Sequence, residues 1–323
     1  MCTGTASQII LDPAAQAFVD SRAVADCSPI STLSPSEVRA VLDRIQSGDT
    51  AMPPAEVEPH TIPGGPDGEI SITVVRSENL IGRPPVVLYF HGGGWVLGNY
   101  RTHERLVREL AVGTEAAIVF VNYSPSPEAP YPVAIEEAYA ATQWVAKYGA
   151  DLGLDGKRLA VAGDGAGGAL AAGVTLLARE RRGPSIRLQA LFYPVTNAAF
   201  DTGSYREFAE GYGLTRKTMQ WCWDQYVPDP AVRFEPTASP LLAAPEQLVG
   251  LPPALVITAE ADVVRDEGEA YARTLHDTGI DVTATRYDGI IHDFMMLNAL
   301  AETTAARDAT IRATRALKVA LAG

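Results

Sequence analysis

From Pro85 onward, short and continuously apolar runs alternate with longer stretches of helical periodicity. The runs at residues 86–90, 117–121, 159–162, 188–192 and 254–258 lack polar alternation, the pattern of strands buried on both faces of a parallel sheet, and 282–287 reads as a further, more polar strand. Helical spacing falls between or after them at 102–111, 133–148, 166–181, 266–277 and 302–320. Before Pro85 the pattern differs. Residues 57–62 and 69–76 alternate apolar with polar positions around a Pro-Gly-Gly-Pro-Asp-Gly turn, which predicts an antiparallel hairpin at the sheet edge. Residues 12–25 and 34–46 read as helices, the second opened by Ser34-Pro35-Ser36-Glu37, and neither carries reactive groups, so both are expected to be lid material. The sum is an α/β chain with a mostly parallel eight-stranded sheet and helices on both faces.

In such a sheet, reactive groups belong at the carboxyl ends of strands. The segment 158–168, Arg-Leu-Ala-Val-Ala-Gly-Asp-Gly-Ala-Gly-Gly, is a strand, a glycine-rich turn and a helix start. As Gly163-x-Gly165-x-x-Gly168 it matches a dinucleotide fingerprint. That reading expects the first βα unit and an acid about twenty residues on; here the turn lies mid-chain, and the next strand ends in Tyr193-Pro194. As Gly-Asp-x-Ala-Gly-Gly it matches the nucleophile elbow of an α/β-hydrolase, with Gly165 where a serine is expected. His91-Gly92-Gly93-Gly94-Trp95 follows the 86–90 strand, and its bare backbone N–H groups suit an oxyanion hole, with His91 orienting the loop. The loop 122–132 is stiffened by prolines and offers Glu128 as an ion-pair anchor for neighbouring loops. Asp262 follows the 254–258 strand, with Asp266 and Glu267 at a helix start. His292 follows the last strand, so elbow, acid and histidine stand in hydrolase chain order.

Composition narrows the function classes. The 323 residues are 47% hydrophobic, enough for one large core with a small lid, and the net charge of −13 argues against nucleic-acid or anionic-membrane partners. No apolar run of about eighteen residues and no basic leader with an apolar core is present, so a cytoplasmic protein is expected. Cys2, Cys27 and Cys222 are scattered and odd in number, which fits reduced thiols. The five histidines form no ligand pair, so no metal is expected, and no cofactor is required.

Taken together, His91 to Trp95, Tyr123 to Glu128, the turn Gly163 to Gly168, and the segments around Asp262 and His292 make the chain resemble the hormone-sensitive-lipase type, or family IV, of bacterial carboxylesterases over nearly its whole length. The resemblance implies an α/β-hydrolase fold with a helical cap from residues 1–50 and 198–245, on a core of 51–197 and 246–323. It implies a small-molecule ester substrate, a homodimer, and Trp95, Phe208, Tyr212, Met219, Trp221 and Trp223 as candidate pocket residues. In the family mechanism a serine attacks the ester, His292 shuttles the proton, Asp262 orients the imidazole, and N–H groups of Gly92, Gly93 and Ala166 hold the oxyanion. The chain departs from the family at Gly165, at Ala169 in place of an asparagine, and at Asp262-Val263-Val264 in place of Asp-Pro-Leu. Three functions follow as expectations. One is an esterase scaffold, for short- to medium-chain or aryl esters, impaired by an engineered or natural glycine. Another is a serine-less enzyme using the His292–Asp262 pair as general base. The third is a non-catalytic small-molecule binder.

Overall fold

A computed structural model describes residues 9–25 and 33–322. Within them the apolar runs become one sheet of eight strands: β1 Ala55–Pro63, β2 Glu69–Ser77, β3 Pro85–Phe90, β4 Ala117–Asn122, β5 Asp155–Asp164, β6 Gln189–Phe192, β7 Ala254–Ala261 and β8 Val282–Ile291. Their order is β1-β2-β4-β3-β5-β6-β7-β8. The hairpin strands β1 and β2 are antiparallel to each other and β2 is antiparallel to β4, while β4 through β8 run parallel. Every β3 residue from Val86 to Phe90 is fully buried, which is why this stretch shows no alternation.

The helices are α1 Pro13–Ala25, α2 Pro35–Ile45, α3 Tyr100–Thr114, α4 Val133–Tyr148, α5 Ala166–Glu180, α6 Gly203–Glu207, α7 Arg216–Tyr226, α8 Pro245–Leu248, α9 Arg265–Asp277 and α10 Thr304–Leu321. The Ser34 start signal is a full capping box: the Ser34 hydroxyl accepts from the Glu37 N–H, and Glu37 accepts from the Ser34 N–H. The strand at 282–287 runs on to Ile291, and the one at 159–162 begins at Asp155, where Asp155 N–H donates to Pro84 O. Cys2, Cys27 and parts of the expected cap segment 1–50 lie outside the described residues. Cys222 is buried with a free thiol, which burial pushes up to about 12.

Two features of this topology place the site. Strand β3 sits between β4 and β5, so the connections leaving β3 and returning to β5 diverge and open a crevice at their carboxyl ends. Phe90 pairs with Gly163 in register, so the glycine loop after β3 and the turn after β5 leave the sheet side by side. Helix α5 is buried from Ala166 to Ala178, and its Gly167 and Gly168 let it lie against backbone: a Cβ on Gly167 would collide with Phe90 O, and one on Gly168 would stand 2.9 Å from Pro194 Cβ.

Candidate active site

Gly165 is the hinge of the turn between β5 and α5, with φ 51° and ψ −116°. Its N–H donates to Phe192 O at 2.9 Å, and its carbonyl accepts from Val195 N–H at 3.0 Å. A side chain costs about 1–3 kcal/mol in this backbone region, which glycine avoids. The neighbouring glycines are needed for space. A Cβ on Gly163 would strike Gly167 O, one on Gly92 the Asp164 carboxylate, and one on Gly94 the Cys222 thiol. Gly165 differs, since the nearest atom to its Cβ would be His292 Nε2 at 3.3 Å, followed by His292 Cε1 at 3.8 Å. It is therefore the one glycine of the turn whose side chain would face reactive atoms rather than packed ones.

Beside it lies a buried polar cluster around Asp164. The carboxylate accepts from Tyr89 Oη at 2.6 Å, from Gly92 N–H at 3.1 Å and from His103 Nε2 at 3.3 Å. Burial opposes the charge on Asp164, but His103 outweighs it and holds the carboxyl below its ordinary range, while the same pairing raises His103 against its own burial. His91 stacks on Tyr123, centroids 4.2 Å apart, and on Phe120 at 5.3 Å; Tyr123 Oη donates to His91 O at 2.8 Å. Burial, helped by His103, drives His91 down to about 3, so it is a neutral packing ring that fixes the loop. One expectation is corrected here. The Gly92 N–H, expected as an oxyanion donor, is already taken by Asp164 Oδ1 at 3.1 Å. The N–H groups of Gly93, Gly94 and Ala166 have no acceptor among the described residues, and Ala166 is the first residue of α5, where helix donors are open.

His292 and Asp262 come together from the ends of β8 and β7. His292 Nδ1–H donates to Asp262 Oδ2 at 2.6 Å, and Asp262 Oδ1 accepts from Val264 N–H at 3.0 Å. The Tyr193 ring meets the imidazole edge-on at 4.9 Å. Asp293, at φ 63°, brings a second carboxylate: its Oδ1 lies 3.4 Å from His292 Nε2 and has no hydrogen-bond partner. Burial lowers the imidazole, but Asp262 and then Asp293 outweigh it and lift His292 to about 9. We expect the His292 ring to titrate near 9 by NMR, and Asp262→Asn to move it down toward the ordinary histidine value of roughly 6.5. Because the folded value is the higher one, the stabilisation is complete below about 6.5 and is lost as pH rises through about 9. Unfolding free energy should therefore fall across that window, and less so in Asp262→Asn.

Charged groups tie the flanking helices to the site. Arg39 on α2 makes a bidentate pair with Glu128, at 2.9 and 2.6 Å, and also donates to Val96 O and Ser126 O. One guanidinium thus joins α2, the glycine loop and the proline-rich loop. Gln46 donates to Thr102 O and Met296 O, binding the end of α2 to the α3 start and the histidine loop. Asp266 and Glu267 fall in the first turn of α9; Asp266 accepts from Ser204 N–H of α6, and Glu267, raised by burial, accepts from Thr196 and Asn197 N–H. Arg39→Lys keeps the charge but loses the fork, and we expect it to speed proteolytic cleavage in α2 nearly as much as Arg39→Ala does.

The aromatic candidates divide by position. Trp95 is buried, stacked on Tyr226 at 4.1 Å and edge-on to Trp223 at 4.8 Å. Phe208 is buried, edge-on to Tyr212 at 5.1 Å and under the Arg265 guanidinium. Met219 is buried, while Tyr212 and Trp221 are half-buried. Sequence reading missed Asp164 and His103 as partners, Gly94 as an open donor, and Asp293. Only Asp164 left a signal, as a charged residue ending an apolar strand.

A family described as the alpha/beta hydrolase fold matches residues 87–296, from β3 through the histidine loop. The chain belongs to this family. It is similar to carboxylesterase NlhH of Mycobacterium tuberculosis, 38% identical over 88% of both chains. Among solved structures, a thermostable esterase from Pseudomonas putida ECU1011 is 49% identical, covering 98% of this chain and 99% of its own, with a TM-score of 0.94. A serine-to-alanine mutant of esterase rPPE in complex with (S)-Ac-CPA matches at the same identity and TM-score, over 96% of this chain and 98% of that one. The chain is thus a carboxylic-ester hydrolase scaffold. No helix among the described residues is long and apolar enough to cross a membrane, and no group of side chains among them is arranged to hold a metal ion.

Proposed function

We propose that this chain is a carboxylesterase of the hormone-sensitive-lipase type whose nucleophilic serine is replaced by Gly165, and that it hydrolyses short- to medium-chain or aryl esters only weakly. The observation that carries the reading is the Gly165 environment: a Cβ there would point at His292 Nε2 at 3.3 Å, where every neighbouring glycine of the turn would collide with packed atoms. In the serine-bearing parent, the hydroxyl attacks the ester carbonyl as His292 Nε2 takes its proton. Asp262 holds the Nδ1–H tautomer, and the N–H groups of Gly93, Gly94 and Ala166 receive the oxyanion. The imidazolium then protonates the leaving alcohol, and water repeats the sequence to free the acid. Glycine offers no atom to acylate. Helices α1 and α2, with α6 and α7, would form the cap, with Phe208, Tyr212, Met219 and Trp221 lining it and Trp95 acting from behind through Trp223 and Tyr226.

A second reading draws on the surviving base. The His292–Asp262 pair keeps its 2.6 Å hydrogen bond, which favours slow general-base delivery of water in this chain. A fluorophosphonate probe tests the main reading. It should label Gly165→Ser, with the adduct mapped by mass spectrometry to residue 165, and leave the glycine chain unlabelled. An unlabelled, folded Gly165→Ser chain would overturn it.

A further inference from the structure

We propose that this chain accepts a small uncharged nucleophile carrying two donor hydrogens above Gly165, and transfers an acyl group to it directly from an ester. The inference rests on the ester-binding reading above and adds a transferase activity that needs no acyl-enzyme. Three observations carry it.

The first is space. At Gly92, Gly93, Gly94, Gly163, Gly167 and Gly168 a Cβ would approach other atoms closer than 3.0 Å, whereas at Gly165 nothing lies nearer than His292 Nε2 at 3.3 Å, and Gly92 Cα is 4.0 Å away. A donor atom placed above Gly165 can therefore come within hydrogen-bond distance of a basic nitrogen, where the neighbouring glycines leave no such opening. The second is hydrogen-bond demand. Asp262 takes the Nδ1–H of His292, so once the ring is neutral, above about pH 9, it presents Nε2 as an acceptor. Asp293 Oδ1, 3.4 Å from that nitrogen, is a buried acceptor without a hydrogen-bond partner. Two acceptors side by side call for a ligand with two donor hydrogens, as in water or hydroxylamine, and an alcohol satisfies only one. The third is charge. Asp262 and Asp293 flank the imidazole, so azide, formate and other anions are repelled.

Hydroxylamine is the probe that meets all three conditions. Its nitrogen attacks the ester carbonyl while one N–H proton passes to His292 Nε2. The C–N bond forms, the ester C–O bond breaks, and the proton returns to the leaving oxygen. The products are a hydroxamic acid and the free alcohol or phenol, with no oxidant or reductant consumed.

The test incubates the full chain above about pH 9, where His292 is neutral, with phenyl acetate and increasing hydroxylamine, and counts acetohydroxamate by mass spectrometry. The expected result is saturable formation about 10²-fold above the buffer reaction. It should be lost in Gly165→Ala, which is no less able to act as a nucleophile but fills the space, and in His292→Gln. N,O-dimethylhydroxylamine and azide should not substitute. Because Gly165→Ala takes on backbone strain, its folding is checked by thermal melting, and the dimethylated probe supplies the same steric answer on the unaltered chain. If Gly165→Ser hydrolyses phenyl acetate while the glycine chain makes hydroxamate only at the buffer rate, the transferase proposal falls and the ester reading stands. The proposal falls equally if a folded Gly165→Ala matches the glycine chain. If Gly165→Ser is also inert toward the ester, both readings fall.

Discussion

Gly165→Ser should raise kcat/KM for p-nitrophenyl acetate by roughly 10⁴- to 10⁶-fold and produce an acyl-enzyme burst equal to the enzyme present. The size follows from how the groups act together. On the reading proposed above, the nucleophile is missing while the His292–Asp262 pair and the N–H groups of Gly93, Gly94 and Ala166 remain, and such a remnant keeps only the part of catalysis due to binding and charge stabilisation. The serine Cβ would stand 3.3 Å from His292 Nε2, so the ring must yield by a few tenths of an ångström, after which the hydroxyl lies within hydrogen-bond reach. The gain has a cost in stability. At φ 51° and ψ −116° a side chain is strained by about 1–3 kcal/mol, so Gly165→Ser should melt below the glycine chain. Gly165→Ala carries the same strain without a nucleophile, so it should melt low and stay inactive. A serine variant that is as stable as the glycine chain and no more active would mean that residue 165 does not face the reacting carbonyl.

Much of this scaffold was legible because it is local. Strands buried on both faces read as unbroken apolar runs, and the β1–β2 hairpin betrays itself by alternation and a Pro-Gly turn. The acid and histidine could be placed because each follows a strand end directly, Asp262 after Ala261 and His292 after Ile291. What stayed hidden depends on distant partners. Nothing in three consecutive glycines tells which N–H faces the ester. What distinguishes them is Asp164, 72 positions away, which takes the Gly92 N–H and leaves Gly93 and Gly94 without an acceptor among the described residues. Trp95 reads as a pocket residue from its place beside the glycines, yet Tyr226 and Trp223 of α7 hold it in an aromatic stack. Glu128 was recognisable as an anchor, but its partner Arg39 lies 89 positions away on a helix with no reactive groups.

Asp164→Ala should be the most damaging single change outside the acid–histidine pair, costing about 3–5 kcal/mol and lowering the melting temperature by roughly 4–8 °C. The carboxylate is fully buried and accepts from Tyr89, Gly92 and His103, so its removal strands three donors and takes from the buried His103 the partner that favours its charge. Asp164→Asn keeps the shape but turns an amide toward a histidine that needs an acceptor, and should lose less. The two variants also separate charge from packing through pH. Asp164 is held below its ordinary range, so its contribution is present above about pH 3.9 and is lost as pH falls through its folded value. His103 is raised, so its contribution is present below about pH 6.5 and is lost as pH rises through its folded value. The stability gap between the unaltered chain and Asp164→Asn should then be widest between about pH 4 and 6.5 and narrow on both sides. A gap independent of pH would show a neutral hydrogen-bonded cluster instead of an ion pair. The cluster also reaches the chemistry. Once Asp164 no longer holds the Gly92 N–H, the adjoining Gly93 and Gly94 donors lose their fixed direction. In a Gly165→Ser background, Asp164→Ala should therefore lower kcat by about 10-fold or more while KM changes little, because those donors serve the oxyanion that forms only during reaction.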